Sequence, residues 1–536
     1  MRDEPPLDVA VVGAGVGGCY TAFRLAAAPG GGGPAARRVT LYERSHRTGG
    51  RIWSVGLDDG RGGWAELGAM RLDRGATSVM GLLDHLGLGS SLVPFSFGRD
   101  ENLTYARGTL VRQRQLAAPA PALPYRLRPR ERGRGPGELE LLAVETLLPG
   151  FTRLRAGHHR AVERGHRRRA GEDAAAYRRL RDAAVVHGKP LCRAGWTGVL
   201  EATLSGEAVR CVHDTGGYDH HHGNAADWID VLFHTPPRAR YLTLSRGMGS
   251  LPAALRASFE AAGGRTRLGH RLCRVDRAAP DARRPHGAPL YELTFAREDA
   301  TGRDTGERVR VRARTVVLAL PQGALRRLDG PGRLFTPLMR EDVEAVQAVP
   351  ALKLYLAYAE PWWRELGLTT GRSTTDTPLR QLWYGGGTGP ALLLAAYPNG
   401  PSAASWKRFH EGPRYAGPDD GVLGDAPRPS AAMVEHAHRL LCAMHGVRTP
   451  PPLAARWQDW DRAPHDGAWH LWRPGRSSAA VAARMRRPAP GEALYVVSDC
   501  WTSNPGSIPG ALSCAEDVLQ GGVGLAPPPW ARASGP

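Results

Sequence analysis

Lysine is almost missing from this chain. Lys189, Lys353 and Lys407 are the only three in 536 residues, so the excess of Lys plus Arg over Asp plus Glu, 71 against 52, is carried by arginine. Together with abundant Ala, Gly and Pro, that skew reads as a composition bias, which spreads positive charge without aiming it. The formal charge of +19 invites a nucleic-acid reading. The densest basic runs, Arg126–Arg134 and His158–Arg169, have no interleaved Phe, Trp or Tyr on which bases would stack. No specific nucleic-acid partner is therefore expected; these runs read as solvated basic faces or as weak steering of anions.

Long apolar runs are absent too. None approaches the roughly 18 residues that a spanning helix needs, and the start Met1, Arg2, Asp3, Glu4 has no hydrophobic signal core. The expectation is a cytoplasmic protein without a membrane partner. The seven cysteines form no CxxC pair and no metal spacing, so reduced thiols and no metal site are expected. Three adjacent histidines, His220 to His222, cannot all face one ion from a regular element. They belong to a polar stretch, Gly216 to Asn224, that reads either as a loop near a cavity or as a solvent-exposed turn.

The chain is long enough for two or three domains, with 42% hydrophobic and 23% charged residues. Its organising stretch comes first. Leu7 to Val12 reads as a buried parallel strand that runs into Gly13, Ala14, Gly15, Val16, Gly17, Gly18. Gly13 suits the tight turn, Gly15 the close approach of backbone to a pyrophosphate, and Gly18 the packing of the next helix on the strand. That helix points its free N–H groups at the phosphates. A second apolar strand, Val39 to Tyr42, ends in Glu43, an acid placed to accept from a ribose. A second glycine pair, Gly49 and Gly50, followed by Arg51, lets backbone pass the same phosphates again. Only one dinucleotide fits, because Gly385 to Gly389 lies between two strand patterns and reads as a hairpin connection.

From this second pair onward the sequence resembles the flavin amine oxidase superfamily. At Gly68, Ala69, Met70, Arg71 the likeness sharpens to its L-amino acid oxidases. The resemblance implies FAD, with Gly68, Ala69 and Met70 close under the flavin ring and Arg71 reaching the substrate carboxylate. A guanidinium offers the planar fork which that role needs. It further implies that Leu272 meets the adenine through its backbone, and that Lys353 holds a water against the flavin. Tyr397 then assists Arg71, and Ser498 and Asp499 reach the ribityl chain. Ser507 and Ile508 begin a helix at the electron-rich end of the ring, with Ser507 standing where the family often has a tryptophan. Trp457 to Trp472 reads as an aromatic loop, in which Trp469 is either a pocket wall or a core residue.

The implied fold is α/β: a Rossmann-type FAD-binding domain (7–72, 241–330, 490–524), a mixed-sheet substrate domain (73–118, 331–489), a helical insertion (119–240) and a disordered tail (525–536). The implied reaction is oxidative deamination of an L-amino acid by O2 to a 2-oxo acid, ammonia and hydrogen peroxide. Open alternatives are an amino acid 2-monooxygenase, which gives an amide, an oxidase of amines without a carboxylate, and a basic binding protein that uses flavin structurally. A homodimer is also left open.

Overall fold

The computed structural model describes residues 5–28, 37–57, 63–116, 122–218, 222–237, 239–278, 289–332, 334–385 and 391–532. Leu7–Val12 forms the centre of a seven-stranded sheet, parallel to Val39–Tyr42 on one side and to the end of the long strand Asp304–Leu318 on the other. Arg265–Arg267 and Leu494–Val496 extend the parallel part at its two edges. The lower half of Asp304–Leu318 continues into an antiparallel meander with Tyr291–Glu298 and His270–Arg277. The chain thus enters one sheet three times, early, midway and near its end.

Alternation along the first strand sets the two cores. Val9 and Val11 join Phe23, Leu255 and Leu512 under three helices, Val16–Ala27, Ser250–Ala261 and Ile508–Gly521. Ala10 and Val12 face the other way, onto Val316, Leu318 and Phe335. A strand buried on both faces reads as a continuous apolar run, which is why it stands out in the sequence.

A second seven-stranded sheet runs in the order Ala454–Asp459, Leu352–Ala357, Leu392–Ala396, Gln381–Tyr384, Gly371–Thr375, Leu103–Ala106, Thr109–Arg112. It is mixed, since Gly371–Thr375 pairs in parallel with Leu103–Ala106 and the other pairs are antiparallel. Gln381–Tyr384 and Leu392–Ala396 are the hairpin expected around the second glycine run, whose residues 386–390 lie outside the described residues. Among the described residues, six α-helices between Pro136 and His234 enclose a core of their own around Phe151, Tyr177, Trp196 and Phe233. Among the described residues no helix is long and apolar enough to cross a membrane.

Two expectations are corrected. Trp457 to Trp472 is no loop throughout: Ala454–Asp459 pairs with Leu352–Ala357, and Trp469–Trp472 pairs with Val346–Val349. The tail is not disordered through residue 532. Pro529–Arg532 forms a short helix, and Trp530, 8% exposed, stacks 5.8 Å from Phe23 and sits 4.4 Å from His85. One large aromatic ring buries enough apolar area to hold a Pro-rich segment. Residues 533–536 lie outside the described residues.

Candidate active site

Every residue assigned above to the cofactor, together with Lys353 and Tyr397, lies on the wall of one cavity of about 880 Å³. Its glycines are of two kinds. Gly13 has φ +102°, and a Cβ there would stand 2.3 Å from the Ala319 carbonyl oxygen; at Gly18 a Cβ would stand 1.8 Å from the Gly13 oxygen. Both are required by packing of the protein on itself. Gly15 is different, because a Cβ there meets no atom within 4 Å and projects into open space. Gly15 immediately precedes the helix Val16–Ala27, so this space lies where free backbone N–H groups and the helix dipole favour an anion.

Beside it, the Ala14 N–H donates to Glu43 Oε2 at 2.7 Å, and Ser45 donates to Oε1 from its backbone at 2.8 Å and its hydroxyl at 2.9 Å. The acid is thereby oriented on the cavity wall. Farther along, Leu272 lies on the outer strand of the meander, where the register shifts between Leu272 and Arg274. An edge strand keeps backbone groups free for a planar partner. The open space at Gly15, the oriented acid and the size of the cavity together fit FAD.

The other end of the cavity is built from Gly68 and the sheet strand Leu352–Ala357. At Gly68 a Cβ would meet the Arg51 carbonyl oxygen at 2.1 Å, so only glycine lets this segment pass. Lys353 is 2% exposed and donates from Nζ to the carbonyl oxygens of Glu66 at 2.9 Å and Gly68 at 2.6 Å. An ammonium has three donors, and the third points to neither carbonyl. The Glu66 side chain is buried as well, accepting from Ser54 Oγ at 2.6 Å and Met248 N at 2.7 Å. Burial pushes the Lys353 amine down and the Glu66 carboxyl up, while their mutual attraction opposes both shifts. Glu66 was not assigned a role from sequence.

Arg71 directly precedes the short strand Leu72–Asp73, which pairs with Tyr241–Leu244 and so fixes its direction. Its guanidinium carbon lies 4.9 Å from the centre of Phe97, 5.3 Å from Tyr241, 5.7 Å from Trp383 and 5.8 Å from Tyr218. Nη2 donates to the Tyr218 hydroxyl at 3.2 Å. Among the described residues no carboxylate forms an ion pair with it. Tyr397 follows the strand Leu392–Ala396, next to Lys353, whose Nζ is 5.0 Å from the Tyr397 ring. Tyr218 stands edge-on to Tyr397 at 5.9 Å and to Trp469 at 6.1 Å. Trp469 therefore walls the cavity, while Ser507 caps the helix Ile508–Gly521 by accepting from Gly510 N at 3.0 Å. Of the polar stretch 216–224, Tyr218 is part of the site, and 219–221 lie outside the described residues.

Arg51 pairs with Asp499 and donates from Nη1 to Ala468 O at 3.0 Å. The donor atoms of His470, Asp499 and Cys500 lie within 4.8 Å of one another, and Cys500 Sγ is 3.2 Å from His470 Nδ1. Burial pushes the Cys500 thiol up to about 12 and the His470 ring down to about 3. A protonated thiol beside a neutral imidazole is a hydrogen-bonded core pair next to Asp499.

The chain is 28% identical to Aplysianin-A of Aplysia kurodai, over 96% of this chain and 90% of that protein. It is 27% identical to an L-amino-acid oxidase of Mus musculus, over 74% of this chain and 54% of the other. A segment of 94 residues, 18% of this chain and 12% of its counterpart, is 40% identical to a tryptophan 2-monooxygenase of Agrobacterium vitis. In fold it is similar to cyclohexylamine oxidase from Brevibacterium oxydans, with a TM-score of 0.62 at 17% identity, covering 96% of this chain and 98% of the other. The family model of flavin-containing amine oxidoreductases matches residues 18–519, nearly the whole chain, and the protein belongs to that family.

Proposed function

We propose that this protein is an FAD-dependent L-amino acid oxidase. The observation that carries the reading is Arg71: a guanidinium set among four aromatic rings, on the wall of the cofactor cavity, with no carboxylate paired to it among the described residues. An unpaired charge in such a place is costly, and a substrate carboxylate removes the cost by forming two parallel charge-assisted hydrogen bonds. Simple amines leave it unpaired. The likeness to the mouse L-amino-acid oxidase over three quarters of the chain supports the same reading.

Bound FAD supplies the two-electron acceptor for the carbon–nitrogen bond. The chain's own residues hold the substrate against it. Arg71 and the Tyr397 hydroxyl take the carboxylate, while Tyr218 and Trp469 wall the α-carbon and exclude water. Lys353, anchored by two carbonyls, uses its remaining vertex to hold the water that hydrolyses the released imine. One amino acid, one O2 and one water give one 2-oxo acid, one ammonia and one hydrogen peroxide. Purified protein supplied with the standard L-amino acids tests this by stoichiometric peroxide, ammonia and 2-oxo acid. Amide and carbon dioxide instead assign the monooxygenase outcome, and equal turnover of amines lacking a carboxylate removes the role of Arg71.

A further inference from the structure

Arg71 is not the only guanidinium in this cage. Arg372, on the strand Gly371–Thr375, places its guanidinium carbon 4.6 Å from Phe97, 5.6 Å from Tyr218 and 6.0 Å from Trp383, three of the rings that surround Arg71. Two charges beside one phenyl ring are separated by no more than the sum of their distances to it, which a dicarboxylic amino acid can span. Among the described residues the Arg372 side chain is held by one neutral hydrogen bond, from Nη1 to Gln381 Oε1 at 3.2 Å. Gly217, at φ +86°, gives it room, since a Cβ there would stand 3.1 Å from Nη1. No carboxylate among the described residues pairs with either arginine. Burial and the neighbouring Arg71 hold Arg372 below the ordinary arginine range. Both arginines line a second cavity of about 400 Å³, which shares Tyr218 and Trp469 with the first.

Two like charges, partly buried against the same rings with no carboxylate paired to them among the described residues, form an arrangement that an anionic ligand completes. We propose that Arg372 is a second carboxylate receptor and that the substrate is an L-amino acid with an acidic side chain, its α-carboxylate on Arg71 and its distal carboxylate on Arg372. This rests on the oxidase reading above and adds the side chain to it. A cationic side chain placed there adds a third positive charge, and a neutral one leaves Arg372 unpaired. The carboxyls that line the second cavity, Glu140 and Asp227, belong to the helical insertion, and Glu140 accepts from Trp196 Nε1 at 3.2 Å. They are where a cationic side chain would turn instead, so the two substrate classes make opposite predictions.

The test uses the flavin-loaded protein with L-glutamate, L-aspartate, their amides, L-leucine and L-lysine. The expected result is a kcat/KM for an acidic substrate at least about tenfold above that for its own amide, because a site built for a charged partner rejects the analogue lacking it. Arg372→Gln lowers that acid-to-amide ratio at least about tenfold, mainly through KM, and Arg372→Lys, which keeps the charge but not the fork, falls between. Binding followed by the flavin spectrum gives a readout free of turnover: glutarate should bind more tightly than pentanoate, and Arg372→Gln should abolish the difference. A preference for L-lysine or L-leucine with equal binding of the two acids overturns this proposal and leaves the oxidase reading standing. Flavin-loaded protein that turns over no L-amino acid, yet separates glutarate from pentanoate, overturns the oxidase reading and not the two-carboxylate site.

Discussion

The Nη2 of Arg71 lies 3.2 Å from the hydroxyl of Tyr218, so a cation just after the Gly68 turn is held by a phenol 147 positions later in the chain. The hydroxyl supplies one hydrogen bond and the ring supplies a face. Tyr218→Phe keeps the face and loses about 1 kcal/mol of hydrogen bonding, a rise in KM of a few fold. Arg71→Met removes the charge itself and should cost about 2–5 kcal/mol in kcat/KM toward amino acids. Steady-state kinetics on both variants checks the order: arginine large, tyrosine small.

Lys353 and Glu66 predict a pH profile. Burial holds the Lys353 amine down to about 7, and the Glu66 charge counteracts that shift. Below the midpoint the amine is an ammonium with no lone pair to accept a proton from the water it holds, so formation of 2-oxo acid and ammonia speeds up as pH rises through neutrality. Glu66→Gln removes the charge that favours the ammonium and moves this limb to lower pH. Lys353→Met abolishes the limb and lowers turnover by roughly 10²–10⁴, the range of a positioned acid–base group.

The two kinds of glycine predict two kinds of failure. Gly15→Val places its side chain in the space proposed for the pyrophosphate while its φ of −66° is open to any residue. It should give folded, colourless protein. Gly18→Val forces a carbon onto the Gly13 carbonyl and should give little soluble protein at all. Circular dichroism and flavin absorbance on the two variants separate the cases.

Trp530→Ala tests the packed tail. Emptying a site this buried costs about 3–5 kcal/mol and lowers the unfolding temperature, with KM unchanged, because the ring lines neither cavity. A disordered tail predicts no change.

What could be read in the sequence was local. The strand, the glycine turn and the helix after it are contiguous, and so are the caps of the helix Ala431–His445. There Ser430 accepts from Met433 N, and Gly446 takes the left-handed conformation. Lys353 was legible because lysine is so scarce here. Glu66 was not, since its partner stands 287 positions away and nothing in its own neighbourhood marks a buried acid. Arg372 was hidden for the opposite reason, one arginine in a chain full of them. Trp457 to Trp472 read as a loop because its strands contain aromatics without clean alternation, and the strands they pair with lie about a hundred residues earlier. The tail reads as disordered because composition cannot register one tryptophan meeting two helices.

The most direct measurement is anaerobic mixing of the purified yellow protein with an L-amino acid and, separately, with the corresponding amine that lacks the carboxylate. The account predicts rapid loss of the oxidised-flavin absorbance with the amino acid, at least about a hundredfold faster than with the amine, and collapse of that ratio in Arg71→Met. Protein that binds no flavin, or that is reduced equally fast by both compounds, contradicts it.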